Sequence, residues 1–237
     1  MLEVCSKTDI GKKRNINEDS FLTKRLGEFY ILAVADGLGG HAAGEVASKI
    51  ALIEIEEFLK ANIGKQDLQK VMEAGISKAN KEIYRLSKEN PSYAEMRTTI
   101  VMAVVAEKNV LIANVGDSRA YLIGNTIGQV TKDHSLVQEL LDKKIITVEE
   151  AFHHPQKNIV TKVLGGESEV KPDLYTIELD QNVLLLCSDG LTGSLRDEEI
   201  MEIVVDSKDI DNACAKLIDS ANEKGGKDNI TVILAKG

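Results

Sequence analysis

The sequence predicts an α+β protein in four layers: two mainly antiparallel sheets packed face to face, with helices outside each, an α-β-β-α sandwich. Three observations predict it. Short apolar runs rich in β-branched residues recur along the chain and favour extended backbone. Those between residues 98 and 130 are joined by turns too short for crossover helices, so they pair antiparallel. Amphipathic helices lie between the runs, each with one apolar stripe that needs cover. The 237 residues, 43% of them hydrophobic, are enough for a sizeable core and read as a single domain, 1–237.

The elements follow in order. Residues 30–35 form the first apolar run. After a glycine-rich stretch, Val46, Ile50 and Ile53 share the face of a helix. A second helix over 66–86 carries Leu68, Met72, Ile76, Ala79 and Ile83 on one stripe, and Asn90-Pro91 ends it. Strands are expected at 98–106, 110–115, 120–123 and 183–187, with 230–234 closing the series. Ile210, Ala213, Leu217 and Ala221 mark a helix near the end. The irregular region from about 132 to 170 holds two short helical candidates, 136–141 and 148–153. It reads as a surface flap.

The formal net charge of -9 disfavours a nucleic-acid partner, which needs a basic face. No apolar run is long enough to cross a bilayer, and the N-terminus lacks a signal-peptide pattern. Three cysteines in apolar or helical contexts suit a reducing compartment, so a cytoplasmic location is expected.

Chemistry concentrates in acidic motifs at strand ends. Glu18 and Asp19 follow Arg14 in RNINED; taken alone the motif favours a solvated turn, and the sharper reading is a metal ligand beside an arginine fork that clamps a phosphoryl group. Asp36 ends an apolar run and precedes Gly37, Gly39 and Gly40. Glycines there permit a backbone carbonyl, such as that of Gly37, to turn toward a hard cation. Asp117 follows Gly116 between two strands, Asp189-Gly190 repeats the strand–Asp–Gly arrangement, and Asp228-Asn229 precedes the last strand. Convergent carboxylates without a matching histidine set select magnesium, manganese or calcium over zinc. From the residues alone a small-molecule phosphohydrolase or a nuclease remains open. A cysteine-based phosphatase does not, because no Cys-x5-Arg loop follows Cys187.

The motifs RNINED, DGLGGH, NVGDSRAY, TKDHS, CSDGL and GGKDNIT, in this order, resemble those of the PP2C-type (PPM) metal-dependent protein serine/threonine phosphatases, closest to the bacterial branch. The resemblance spans about residues 9 to 234. It implies a β-sandwich flanked by helices and hydrolysis of phosphoserine and phosphothreonine by direct attack of a metal-bridging water or hydroxide. It implies Mn2+ or Mg2+, two ions in a core site and a third beside it. Asp36 would bridge the core ions, Asp189 and Asp228 would serve one, and Glu18 with the Gly37 carbonyl the other. Asp117 and Asp189 would hold the third. Asp19 would orient a water, Arg14 would hold the phosphoryl oxygens, and Asn229 would support the last carboxylate from outside the ligand set. The implied partners are phosphorylated proteins, among them a cognate serine/threonine kinase and its substrates, with the chain acting as a monomer.

Two departures stand out. Animal enzymes carry a histidine, proposed as general acid, immediately after the Asp-Gly pair. This chain has Leu38 there, and His41 is not the matching position, so the acid is unassigned. The family's usual Met-Gly-Thr-Thr reads Met96-Arg97-Thr98-Thr99, severe if the backbone needs positive φ and mild if it does not. Arg97 raises the alternative of a catalytically weak phosphoprotein-binding regulator of the same fold.

Overall fold

The computed structural model describes residues 2–39 and 43–237. Two five-stranded antiparallel sheets form its centre. The first has the order β1 (Glu3–Asp9), β12 (Ile230–Lys236), β11 (Val183–Cys187), β8 (Arg119–Ile123) and β9 (Ile127–Gln129). The second has the order β10 (Asp173–Glu178), β7 (Asn109–Val115), β6 (Ile100–Ala106), β3 (Phe29–Ala35) and β2 (Ser20–Leu26). A two-residue ribbon pairs β4 (Gly37–Leu38) with β5 (Arg97–Thr98).

The side-chain period of two sorts the strands into layers. Leu32 and Val34 of β3 meet Val101, Ala103, Leu184, Leu186 and Ile233 between the sheets. Their alternates Ile31, Ala33 and Ala35 face outward onto α1 (Ala43–Asn62) and α2 (Leu68–Glu89). On the other side, Leu185, Cys187, Val232 and Leu234 lie under α5 (Asp189–Thr192), α6 (Asp197–Val205) and α7 (Ile210–Glu223). The central strands of both sheets are therefore buried on two faces, which is why they read as unbroken apolar runs. The predicted four-layer α+β sandwich is the architecture observed.

Some details differ from the sequence reading. The buried face of α1 is Ala47, Ala51, Leu52, Ile55 and Leu59; Ile53 is exposed. The small alanines let the helix lie close to the sheet, and a pattern scored on large residues misses that face. Residues 98–106 do not form one strand. Thr99 breaks the run because its N–H donates to Asp36 O at 2.9 Å. The flap region contains α3 (Leu136–Asp142) and α4 (Val148–Phe152), the latter opened by a Thr147–Glu150 capping box. Among the described residues, no helix is long and apolar enough to cross a membrane.

Candidate active site

The sheet registers place the acidic motifs at one end of the sandwich. Ser20 pairs with Ala35, so Glu18-Asp19 and Asp36 emerge side by side. Ile100 pairs with Val115, which brings the Gly116-Asp117 turn to the same end. In the other sheet Cys187 pairs with Val232, so Asp189 and Asp228 leave neighbouring strands together. The antiparallel pairing thus converts five distant motifs into one cluster.

Small polar side chains fix the backbone of this cluster. The Asp36 N–H donates to Thr99 Oγ1 at 3.0 Å, and Thr98 Oγ1 donates to Asp36 O at 2.8 Å. Thr99 Oγ1 also meets Ser118 Oγ at 2.8 Å, joining the Asp36 and Asp117 turns. Ser48 Oγ donates to Glu18 O at 2.6 Å. Asn229 reaches back to the N-terminal loop: its Oδ1 accepts the Glu18 N–H at 2.8 Å, and its Nδ2 donates to Ile10 O and Ile16 O. Its backbone N–H, rather than its side chain, touches Asp228 Oδ1, at 2.9 Å. Asp19 Oδ2 accepts from Ser188 Oγ at 2.7 Å and Thr231 Oγ1 at 2.6 Å. Ser48, Thr99, Ser118, Ser188 and Thr231 carry no periodic signal and were not legible as site residues. Only Ser118 and Ser188 adjoin an aspartate of the motifs, Asp117 and Asp189; Ser48 and Thr99 lie well away in sequence from the groups they hold.

The electrostatics are severe. Burial, then the charges of Asp19, Asp189, Asp117 and Asp228, pushes the Asp36 carboxyl well above the usual carboxylate range. Burial and Asp189 raise Asp117 in the same way. Asp19 is lifted to about 7, chiefly by burial, against the two hydroxyls that lower it. Asp189 is lifted to about 6 by burial and by Asp228. Glu18 is raised by burial although Arg14 opposes this. At the rim of the cluster Arg14 Nη2 lies 2.7 Å from Asp228 Oδ2.

Whether these residues suit divalent cations can be judged from the donors themselves. Among the described residues no three His, Cys, Asp or Glu side chains are gathered into a finished metal cage. The donor set is nevertheless all hard oxygen, and Asp19 Oδ1 and Asp189 Oδ1 are buried without a hydrogen-bond partner. A glycine cradle adjoins them. A Cβ on Gly44 would lie 2.5 Å from Glu18 Oε1 and 2.8 Å from Gly37 O, and one on Gly37 would lie 2.2 Å from Gly44 O. The two glycines therefore let the Gly37 carbonyl and the Glu18 carboxylate approach each other. Unpartnered anionic oxygens, mutual repulsion and a side-chain-free cradle fit a cation of the magnesium or manganese type.

The flap borders the cluster. A cleft of about 650 Å³ lies between α3, α4 and the body, and Asp117, Asp189, Val148, Phe152 and Leu195 are among its lining residues. Arg196 holds Glu149 of α4 through both terminal nitrogens, at 2.8 Å each, and lies over the Phe152 ring.

A profile of the protein phosphatase 2C family matches residues 11–235. The chain belongs to that family. It is 39% identical over 236 residues to the serine/threonine phosphatase stp of Listeria monocytogenes serotype 4b, covering 97% of this chain and 94% of that protein. The crystal structure of the serine/threonine phosphatase Stp1 from Staphylococcus aureus superposes with a TM-score of 0.96 at 42% identity, covering 100% of this chain and 95% of that one. The catalytic domain of the phosphatase PstP, solved in complex with two manganese ions, gives a TM-score of 0.88 at 34% identity over 99% of this chain and 97% of that one. Family membership makes the chain an enzyme, a protein phosphatase.

Arg97 can now be placed. Among the described residues, the non-glycine positions with positive φ are Glu107, Lys144 and Asp180. Arg97 lies in β5 opposite Leu38, with its side chain exposed. The backbone there needs no glycine, so the substitution is the mild one. Gly40 and His41 lie outside the described residues.

Proposed function

We propose that the chain hydrolyses phosphoserine and phosphothreonine in proteins, using Mn2+ or Mg2+ held at the carboxylate end of the sandwich. The observation that carries this reading is the cluster of Asp19, Asp36, Asp117 and Asp189, whose pKa values burial and mutual repulsion raise and in which Asp19 Oδ1 and Asp189 Oδ1 are buried without partners. Asp36, Asp189 and Asp228 would hold one core ion; Asp36, Glu18 and the Gly37 carbonyl would hold the other. Asp117 and Asp189 would hold a third. Bound ions would lower the pKa of water and neutralise charge on the phosphoryl oxygens.

The chain's own residues supply the rest. Arg14, whose guanidinium is about half exposed at the rim, would turn from Asp228 to the phosphoryl oxygens with two parallel N–H donors. Asp19 has one oxygen fixed by Ser188 and Thr231, so its free Oδ1 would accept a hydrogen of the attacking water in a fixed direction. The flap cleft, continuous with Asp117 and Asp189, would take the polypeptide on either side of the phosphorylated residue. The natural substrates would be phosphoproteins, including a serine/threonine kinase and its targets. The domain acts as a unit over residues 1–237, with 132–170 as its flap.

The test is phosphate release from a phosphothreonine peptide and from a small phosphate ester by chelator-stripped protein, with and without Mn2+. Turnover of the peptide only with Mn2+ is expected. Turnover of the small ester with none of the peptide would favour a small-molecule phosphohydrolase. Peptide binding without turnover would favour a regulator.

A further inference from the structure

The turn that carries Asp117 is held from outside. Gly116 sits at φ +117°, and a Cβ there would lie 2.6 Å from the Thr99 side chain. A glycine has no strong preference of its own for this conformation, so the aspartate that follows depends on what grips its peptide. That grip comes from His134. The His134 N–H donates to Gly116 O at 2.9 Å, and the His134 ring Nδ1 accepts the Gly116 N–H at 3.0 Å. One residue thus engages both the donor and the acceptor of Gly116. Asn114 Nδ2 adds a longer bond to the same carbonyl, at 3.2 Å.

Accepting at Nδ1 fixes the ring chemistry. The hydrogen must sit on Nε2, where Asp173 Oδ2 lies at 3.4 Å and Lys162 Nζ at 3.4 Å. Burial, and then the charge of Lys162, lowers the ring's pKa, with Asp173 and Asp133 opposing. The neutral form that can accept a hydrogen bond is therefore favoured.

His134 also stands at the root of the flap. Its carbonyl accepts the Thr161 N–H at 2.8 Å, and Leu136 N–H donates to Ile159 O at 2.9 Å. The next residue, Ser135, bridges Val160. The chain entering the flap and the chain leaving it are pinned together at this point, and the ring of the pinning residue holds the Asp117 turn.

We propose that His134 is a positioning residue: its Nδ1 fixes the Gly116 peptide so that Asp117 is set for the third cation site, and it ties that site to the flap root. This rests on the reading of Asp117 as a cation ligand. The competing reading is that the ring only fills space at the flap root, in which case its bulk matters and its acceptor does not.

Calorimetric titration of chelator-stripped protein with Mn2+ separates the two. The proteins compared are the unmodified chain, His134→Leu, His134→Asn and Asp117→Ala. Leucine keeps bulk without an acceptor, whereas asparagine places its amide oxygen close to Nδ1. His134→Leu is expected to weaken the third binding event on the order of tenfold, as loss of a group that orients a ligand does, and to leave the tight events within about twofold. His134→Asn should recover most of that loss, and Asp117→Ala should lose the event altogether. An unchanged third event in His134→Leu, with the event lost in Asp117→Ala, would overturn the proposal while leaving Asp117 a ligand. Equal loss in the leucine and asparagine variants would also overturn it. All events intact in Asp117→Ala would remove the ligand reading and the proposal with it. Should His134→Leu fail to bind even the tight ions, His134→Gln takes its place. Its amide oxygen reaches toward the Nε2 position instead, so the asparagine variant should again bind the third ion more tightly, and equal affinity would count against the proposal.

Discussion

Two groups of buried charges lie within the reach of one cleft, and they are built on opposite principles. In the first, Arg119 meets Asp133 through Nε and Nη2, at 3.0 and 2.7 Å, and its Nη1 donates to Tyr121 OH at 2.8 Å. Tyr121 passes a bond to Asp197, and Gln129 donates to Asp133 at 2.7 Å. Each charge has its counter-charge and its hydrogen bonds. In the second, Asp19 and Asp117 are buried, Asp36 and Asp189 lie half-buried beside them, and Arg14 stands at the rim. A folded chain tolerates buried charge when it is paired. The first group satisfies that rule within the protein. The second lacks such pairing within the protein, a deficit that the proposed cations would offset.

Breaking each group should have a different consequence. Asp36→Ala removes the carboxylate common to both proposed core sites and should lower turnover by about 10³-fold, in the range expected when electrostatic stabilisation of a transition state is lost. The same change removes a repelling charge, so the metal-free variant should be at least as stable as the unmodified chain; near-normal turnover would contradict the site. Asp133→Ala should do the reverse. It leaves the buried Arg119 guanidinium without its partner, and urea unfolding should show a loss of about 3–5 kcal/mol whether or not Mn2+ is present. A loss seen only with Mn2+ would mean that Asp133 belongs to the cation site instead. The smallest effect is expected at the rim. Arg14→Ala should raise KM for a phosphopeptide about tenfold, the scale of a charge-assisted hydrogen bond, with kcat less affected. An unchanged KM would take Arg14 out of substrate binding.

The same contrast explains what could be read from the sequence. The central strands were legible because burial on both faces makes runs such as 183–187 and 230–234 continuously apolar. The edge strands β1, β2 and β10 were not, since Glu3–Asp9, Ser20–Leu26 and Asp173–Glu178 face solvent on one side and alternate with Lys, Thr and Glu. Asp36 and Asp189 were legible because an aspartate at a strand end before glycine breaks the apolar pattern abruptly, whereas Glu18, Asp19, Asp117 and Asp228 took their roles from the motif order that resembles the family. The supports of these carboxylates were not legible. Ser188, Thr231 and Ser48 act through single hydroxyls, and Gly44 acts by lacking a side chain. The hydrogen bond from Gly116 to His134 spans eighteen residues and depends on where the flap root returns.

The most direct test of the uncompensated cluster is the rise in Tm caused by saturating Mn2+, measured at pH 8 and at pH 6. Unfolded aspartates titrate near pH 4, whereas Asp19 and Asp189 in the folded, metal-free chain titrate near 7 and 6. Between those values the folded state binds protons that the unfolded state does not, so the metal-free protein should become more stable as the pH falls from 8 to 6. Protons and Mn2+ then compete for the same oxygens. The account predicts a large Mn2+-induced rise at pH 8 that shrinks at pH 6, while the metal-free Tm moves upward over the same interval. A Mn2+ effect that is absent at pH 8, or equal at both values with a flat metal-free Tm, would contradict it.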